Sequence, residues 1–250
     1  INYQNAKKEI QSLFQNSEIF DFPKPTYIVQ RLASMLCNES NEIIVDFFSG
    51  SGTTAHAVMQ LNAEDNGNRR FICVQLPEVT DEKSEAFKAG FKNIAEISKE
   101  RIRRAGKQIA ENHPDKQLDI GFKVFKLTDS HFKQWQSPSA ENLAQQIELF
   151  VDPVRKEATP DAMLYEILLR LGLKLTAKVR SENQVFWVSD ESGQQFALLL
   201  ETLSADLLDR VISAQPKKVV TLDSLFNGDD ALKKNAELQM NDAGIAFFVL

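Results

Sequence analysis

The 250 residues include only two cysteines and three histidines. Cys37 and Cys73 each lie on an apolar stretch, so neither a disulfide framework nor a thiolate metal cluster is expected, and a reducing, cytoplasmic setting follows. His56, His113 and His131 have no neighbouring ligand pattern, and no metal site is expected. No apolar run approaches the roughly 20 residues needed to cross a bilayer, and no secretory signal opens the chain. A membrane partner is therefore not expected. A basic excess is also missing. Acidic residues outnumber basic ones by 35 to 29, for a net charge of −6, whereas nucleic-acid binders usually carry a basic excess or stripe. That balance argues against these residues forming the main grip on a nucleic acid. Internal repeats and low-complexity tracts do not occur. The first residue is Ile1 rather than Met, which reads as a processed or excised piece of a longer chain.

The apolar fraction, 43%, suffices for the core of one or two domains. Residues 1–20 are compatible with a helix. Asp21-Phe22-Pro23-Lys24-Pro25 is an extended segment, because each proline fixes φ and pushes its predecessor out of the helical region. Thr26 is placed to cap a helix with Tyr27, Ile28, Leu32, Met35 and Leu36 on its apolar face. Ile43 to Phe47 reads as a buried parallel strand, and a helix from Thr53 to Leu61 follows. Arg70 to Leu76 is a second strand stopped by Pro77. Lys83 to Ala105 reads as one long helix, with Gly106 ending its regular part and Gly121 to Leu127 forming a third strand. The alternation implies a parallel α/β sheet with right-handed crossovers.

The run Gln136-Ser137-Pro138-Ser139 reads as a linker, giving domains of 1–136 and 137–250. Beyond it, 140–150 and 160–171 read as helices, and 173–179, 185–188 and 196–200 as strands. Ser189-Asp190-Glu191-Ser192-Gly193 is the turn of a hairpin. Ser204 starts a helix to Ile212, 218–222 is a strand, 229–238 a helix, and 245–250 a final strand. This half is a small α+β domain without a catalytic cluster.

The chemistry gathers at Asp46-Phe47-Phe48-Ser49-Gly50-Ser51-Gly52-Thr53-Thr54. The glycine loop sits where a parallel strand turns into a helix, and ligands bind such sheets beyond the carboxyl ends of the strands. A ligand-free tight turn would also use glycines, but the flanking Asp46, the two phenylalanines and the two threonines favour a site. Gly50 to Ala55 also satisfies the G-x-G-x-x-A dinucleotide pattern. A dinucleotide would bring its pyrophosphate close to the Asp46 carboxylate, and the strand-end acid that holds an NAD ribose is replaced by Gln75. S-adenosylmethionine, with an ammonium, a sulfonium and no phosphate, suits Asp46 better. No Gly-Lys-Ser/Thr follows, which excludes a P-loop.

Phe48-Ser49-Gly50-Ser51-Gly52 is similar to the F-x-G-x-G motif of amino-methyltransferases acting on DNA. The segment 46–58 and the run Asn68-Arg69-Arg70-Phe71-Ile72-Cys73-Val74-Gln75-Leu76-Pro77-Glu78 resemble the modification subunit of type III restriction–modification systems. Phe22-Pro23-Lys24-Pro25 resembles the segment just before the cofactor motif in the β-type motif order. The resemblance is strong over 21–106, moderate over 119–135 and weaker at 222–235. It implies S-adenosylmethionine as cofactor: Lys24 near the methionine carboxylate, Asp46, Phe48, Gly50, Gly52, Thr53 and Thr54 around the methionine part, Gln75 on the ribose and Pro77 bordering the adenine.

Adenine-N6 methylation in that family uses an Asp-Pro-Pro-Tyr motif that holds the flipped base. The nearest string here is Asp152-Pro153-Val154-Arg155, which lacks the second proline and the aromatic, so no catalytic residue is assigned. The β-type order puts that motif and the recognition region upstream of Ile1. The resemblance thus implies the C-terminal part of a DNA adenine-N6 methyltransferase, with DNA, a second modification subunit and a restriction subunit as partners. The expected fold is a partial Rossmann-like methyltransferase parallel sheet followed by the small α+β domain. The rivals are an NAD-binding oxidoreductase half and a non-catalytic interaction module. Lys99, Arg101, Arg103, Arg104 and Lys107 read as a solvated helix face, and Trp135 and Trp187 as core.

Overall fold

The backbone alternates strand and helix at the start because short β-branched runs are interrupted by glycine and asparagine turns. In the computed structural model, which describes residues 3–15, 18–37, 39, 41–133 and 153–250, β1 (Ile43–Asp46) pairs in parallel with β2 (Arg70–Cys73), Val45 opposite Ile72. Around them lie α1 (Tyr3–Leu13), α2 (Thr26–Leu36), α3 (Thr53–Asp65), α4 (Glu85–Lys88) and α5 (Ile94–Asn112). These belong to the first of two compact units, Ile1–Lys123 and Val124–Leu250. The linker at 136–139, the helix at 140–150, Trp135 and Asp152 lie outside the described residues.

The N-terminal core unites Ile10 and Leu13 of α1, Ala55 and Met59 of α3 and Ile97, Ile102 and Ile109 of α5. Phe71 and Cys73 pack against it from one face of the sheet. The opposite face carries Ile43, Val45, Ile72 and Val74, each about half exposed. The expectation of a fully buried strand is thus corrected: nothing among the described residues covers that side. The apolar stripe of α2 is likewise open at Tyr27, Leu32, Met35 and Leu36, while Ala33 is buried.

Three further expectations change. The single helix 83–105 is broken after α4, because Gly90 adopts a positive φ of 92° and Asn93 starts α5 by accepting from the Glu96 N–H. Gly106 does not end the helix. It lies inside α5, where an added Cβ would stand 3.1 Å from the Ile120 Cβ, so it admits the chain crossing over the helix. That crossing segment, with Leu118, Ile120 and Phe122 packed on the core, has no ladder hydrogen bonds, and the strand expected at 121–127 does not form. The sheet of this unit has two strands among the described residues.

The C-terminal unit holds α6 (Pro160–Arg170), β3 (Lys178–Glu182), β4 (Val185–Ser189), β5 (Gln195–Leu199), α7 (Ala205–Ser213), β6 (Lys218–Thr221), a short 3-10 turn, α8 (Asp230–Asp242) and β7 (Ala246–Val249). The strand expected at 173–179 begins later, at Lys178. The sheet runs β3-β4-β5-β6-β7, antiparallel through β5 and parallel beyond it. Side chains alternate between two cores. Phe186, Val188, Phe196, Leu198 and Val220 meet Leu164, Ile167 and Leu168 of α6. Val185, Ala197, Leu199 and Val219 meet Leu207, Leu208 and Val211 of α7 and Met240 of α8. The unit is thus a mixed sheet with helices on both faces. No helix among the described residues is long and apolar enough to cross a membrane.

Candidate functional site

The pairing of β1 and β2 continues past the last ladder residues and shapes the loop. Val74 N–H donates to the Asp46 carbonyl at 2.8 Å and Ser49 N–H to the Val74 carbonyl at 3.1 Å. The chain must then reverse into α3 within three residues. Gly50 and Gly52 make this possible with φ of 52° and 80°, and the Gly52 N–H closes the turn on the Ser49 carbonyl at 2.8 Å.

Asp46 stands at the carboxyl end of β1. One carboxylate oxygen accepts from the Phe48 N–H at 3.1 Å and the other from the Thr54 hydroxyl at 2.6 Å. Gln75, from the other strand, accepts the Gly50 N–H at 2.7 Å and donates to the Leu76 carbonyl at 3.1 Å. Its amide acts as a clamp across the loop mouth. Thr53 donates its hydroxyl to the Lys24 carbonyl at 3.2 Å, tying the proline segment to the start of α3. Phe48 projects outward and is 88% exposed. Ser49 is buried, and its hydroxyl has no hydrogen-bond partner among the described residues.

Of the residues singled out from the sequence, Asp46 is thus joined to Thr54 and Gln75 to Gly50 by direct hydrogen bonds, with Gly52 and Thr53 on the same turn. Phe48 flanks them, Lys24 joins through its backbone, and Pro77 is exposed beyond the end of β2. Gly52 has a packing duty that the sequence did not show: a Cβ there would lie 2.7 Å from the Ser98 Oγ and 3.3 Å from the Ile102 side chain, so this glycine also lets the loop seat closely on α5.

The basic helix face is corrected at its centre. Lys99 pairs with Glu96, Arg103 and Arg104 with Glu100, and Lys107 lies 3.8 Å from Glu111. Arg101 is not solvated; its side chain is fully buried beneath the loop. Its Nη1 donates to Ser51 Oγ at 2.8 Å and Thr53 Oγ1 at 2.7 Å, and its Nη2 lies 3.9 Å from Glu9. Burial pushes the guanidinium down to about 10 against the pull of Glu9, so it stays charged at neutral pH. A signal for this was present: Arg101 occupies the apolar stripe Ile97, Arg101, Ala105, Ile109, at helical spacing.

Residues 1–117 match the DNA methylase family. The Mod subunit of the type III restriction-modification enzyme StyLTI of Salmonella typhimurium (strain LT2) is 42% identical over 124 residues, covering 50% of this chain and 19% of that subunit. The EcoP15I Mod subunit of Escherichia coli is 31% identical over 243 residues, 94% of this chain and 36% of that one. The chain is thus similar to type III modification subunits, in the EcoP15I case along 94% of its length. The type II methyltransferase M.KpnI of Klebsiella pneumoniae is 33% identical over 112 residues, covering 45% of this chain and 25% of the relative. The chain therefore spans between 19% and 36% of the length of these modification subunits.

For this family an S-adenosyl methyl donor is the natural occupant to test against the loop. The donor set fits it. The mouth offers a carboxylate, an amide and an exposed aromatic ring, with an unpartnered buried hydroxyl behind them. The cation beneath the loop is fully buried and already engaged by two hydroxyls, so it gives no grip on a pyrophosphate. Among the described residues no group of three or more His, Cys, Asp and Glu residues could hold a metal ion.

Proposed function

We propose that this chain supplies the S-adenosylmethionine-binding part of a site-specific DNA adenine-N6 methyltransferase of a type III restriction–modification system. The observation that carries the reading is Asp46, whose two carboxylate oxygens are fixed by Phe48 N–H and Thr54 Oγ1 at the carboxyl end of a parallel strand. A fixed carboxylate there favours the cationic methionine end of the cofactor. Lys24 would approach its carboxylate, Phe48, Gly50, Gly52, Thr53 and Thr54 would surround the methionine part, Gln75 would reach the ribose and Pro77 would border the adenine. The cofactor supplies the methyl group, and these residues bind and orient it.

The sequence has no Asp-Pro-Pro-Tyr. We assign that motif, and most of the DNA contact, to the larger part of the relatives' length that this chain does not span. Residues 137–250 are read as a protein-contact domain serving a second modification subunit or a restriction subunit in a cytoplasmic enzyme.

Titration calorimetry tests the cofactor reading. S-adenosylmethionine or its demethylated product is expected to bind more tightly than NAD. Asp46→Ala should weaken that binding by about 1–3 kcal/mol. Tight NAD binding indifferent to the methyl donor would overturn it.

A further inference from the structure

The fully buried side chain of Arg101 has no part in the roles assigned so far. It lies on α5 under the glycine loop, with Nε and Nη2 lacking hydrogen-bond partners among the described residues and Glu9 3.9 Å away. A buried charge so incompletely paired is a poor device for stability, since an apolar side chain of similar volume often does as well or better. Its satisfied nitrogen, Nη1, serves two residues of the loop, Ser51 and Thr53. Thr53 passes the connection on to the Lys24 carbonyl. Glu9, on α1, accepts both the N–H and the hydroxyl of Thr26, at 3.0 and 3.2 Å. One turn earlier on α5, Ser98 meets Gly52. The segment 24–26 and the loop end 51–53 are thereby both referred to one guanidinium.

We propose that Arg101 is a positioning residue: by holding the Ser51 and Thr53 hydroxyls from beneath, it fixes the loop and the Lys24 segment in the conformation that receives the methyl donor. This rests on the reading of the loop as a methyl-donor site. Without the guanidinium the loop still closes on Gln75 and Asp46, but its floor is released, so binding has to pay the cost of ordering it.

The test is Arg101→Met in the full chain, read by amide hydrogen exchange, urea unfolding and calorimetry with S-adenosylmethionine. The expected result is exchange at least about tenfold faster at residues 50–54, donor affinity reduced about tenfold or more, and an unfolding midpoint near that of the parent. Arg101→Lys, which keeps the charge and the donors, should recover part of the affinity. If Arg101→Met does not fold, Ser51→Ala with Thr53→Val removes the acceptors and should reproduce the faster loop exchange. Unchanged exchange at 50–54 in these variants overturns the positioning role. A parent chain that binds no donor, but whose loop loosens in Arg101→Met, sinks the cofactor reading and leaves the positioning role standing.

Discussion

Gly50 and Gly52 share a positive φ but not a surrounding. At Gly50 an added Cβ meets Phe20 at 3.6 Å and the Phe48 carbonyl at 3.9 Å, ordinary contacts both, whereas at Gly52 it meets Ser98 Oγ at 2.7 Å. Gly50→Ala should therefore cost about 1–2 kcal/mol, the left-handed penalty alone, and Gly52→Ala about 2–5 kcal/mol, because overpacking adds to it. Urea midpoints of the two variants check the order; equal losses would contradict it. Acid sensitivity is also set residue by residue. Burial, with the Arg101 charge adding to it, pushes His56 down to about 4. The unfolded chain then holds the proton more tightly, so this contribution is complete above about 6.5 and is lost as pH falls through 4. Glu166 is opposed by burial, yet bonds from Ser130, His131 and Arg170 hold its carboxyl down at about 2. Its contribution is present above 4.5 and lost towards 2. His56→Leu should flatten the stability–pH slope between 6.5 and 4. The gap between Glu166→Gln and the parent should stay open from 6.5 to 4.5 and close only below 4.5. A gap that closes already above 4.5 would contradict the Glu166 account.

Elements start and stop here for local reasons in some places and tertiary ones in others. Ser84, Asn93, Thr159, Ser204 and Asp229 each cap the following helix with a side-chain oxygen, as polar residues before apolar runs do. Thr26 was expected to be a cap and is the first helical residue instead. Pro25 precedes it, and the missing side-chain cap is replaced by Glu9 from α1. A carboxylate at a helix N-terminus also answers the helix dipole. Glu9→Gln keeps one acceptor but removes the charge from Thr26 and Arg101, and should lower stability by about 1–3 kcal/mol. If chemical denaturation shows no loss, the carboxylate is not capping α2. The loop residues near Asp46 were legible because they are contiguous or lie on the next strand. Arg101 was not, because it is 50 residues from Ser51 and stands among Lys99, Arg103 and Arg104. Sequence shows the charge, whereas burial shows its use.

At the scale of the molecule, the open faces of β1–β2 and α2 and the absent Asp-Pro-Pro-Tyr lead to one expectation. The 250 residues alone should transfer no radiolabelled methyl group to mixed genomic DNA, while still binding the donor. Incorporation above a heat-killed control would mean that catalytic residues lie within this chain. Removing 137–250 should spare donor binding and weaken self-association or restriction-subunit binding in sedimentation. Assembly untouched by the deletion would refute the contact-domain reading.

Sequence by itself determined the parallel pair, the loop between β1 and α3, the hairpin turn at 189–193 and most helix starts. The turns and helix starts depend on residues close together in the chain, and the parallel pair on the strand–helix–strand alternation, so spacing and side-chain type decide the outcome. Only the tertiary structure decided that Gly52 and Gly106 are packing glycines and that 121–127 is a crossing segment rather than a strand. It alone put helices on both faces of the C-terminal sheet and made Arg101 the floor of the loop. Each of those depends on which distant surface is pressed against the residue, and that follows from how apolar area is shared out over the whole core.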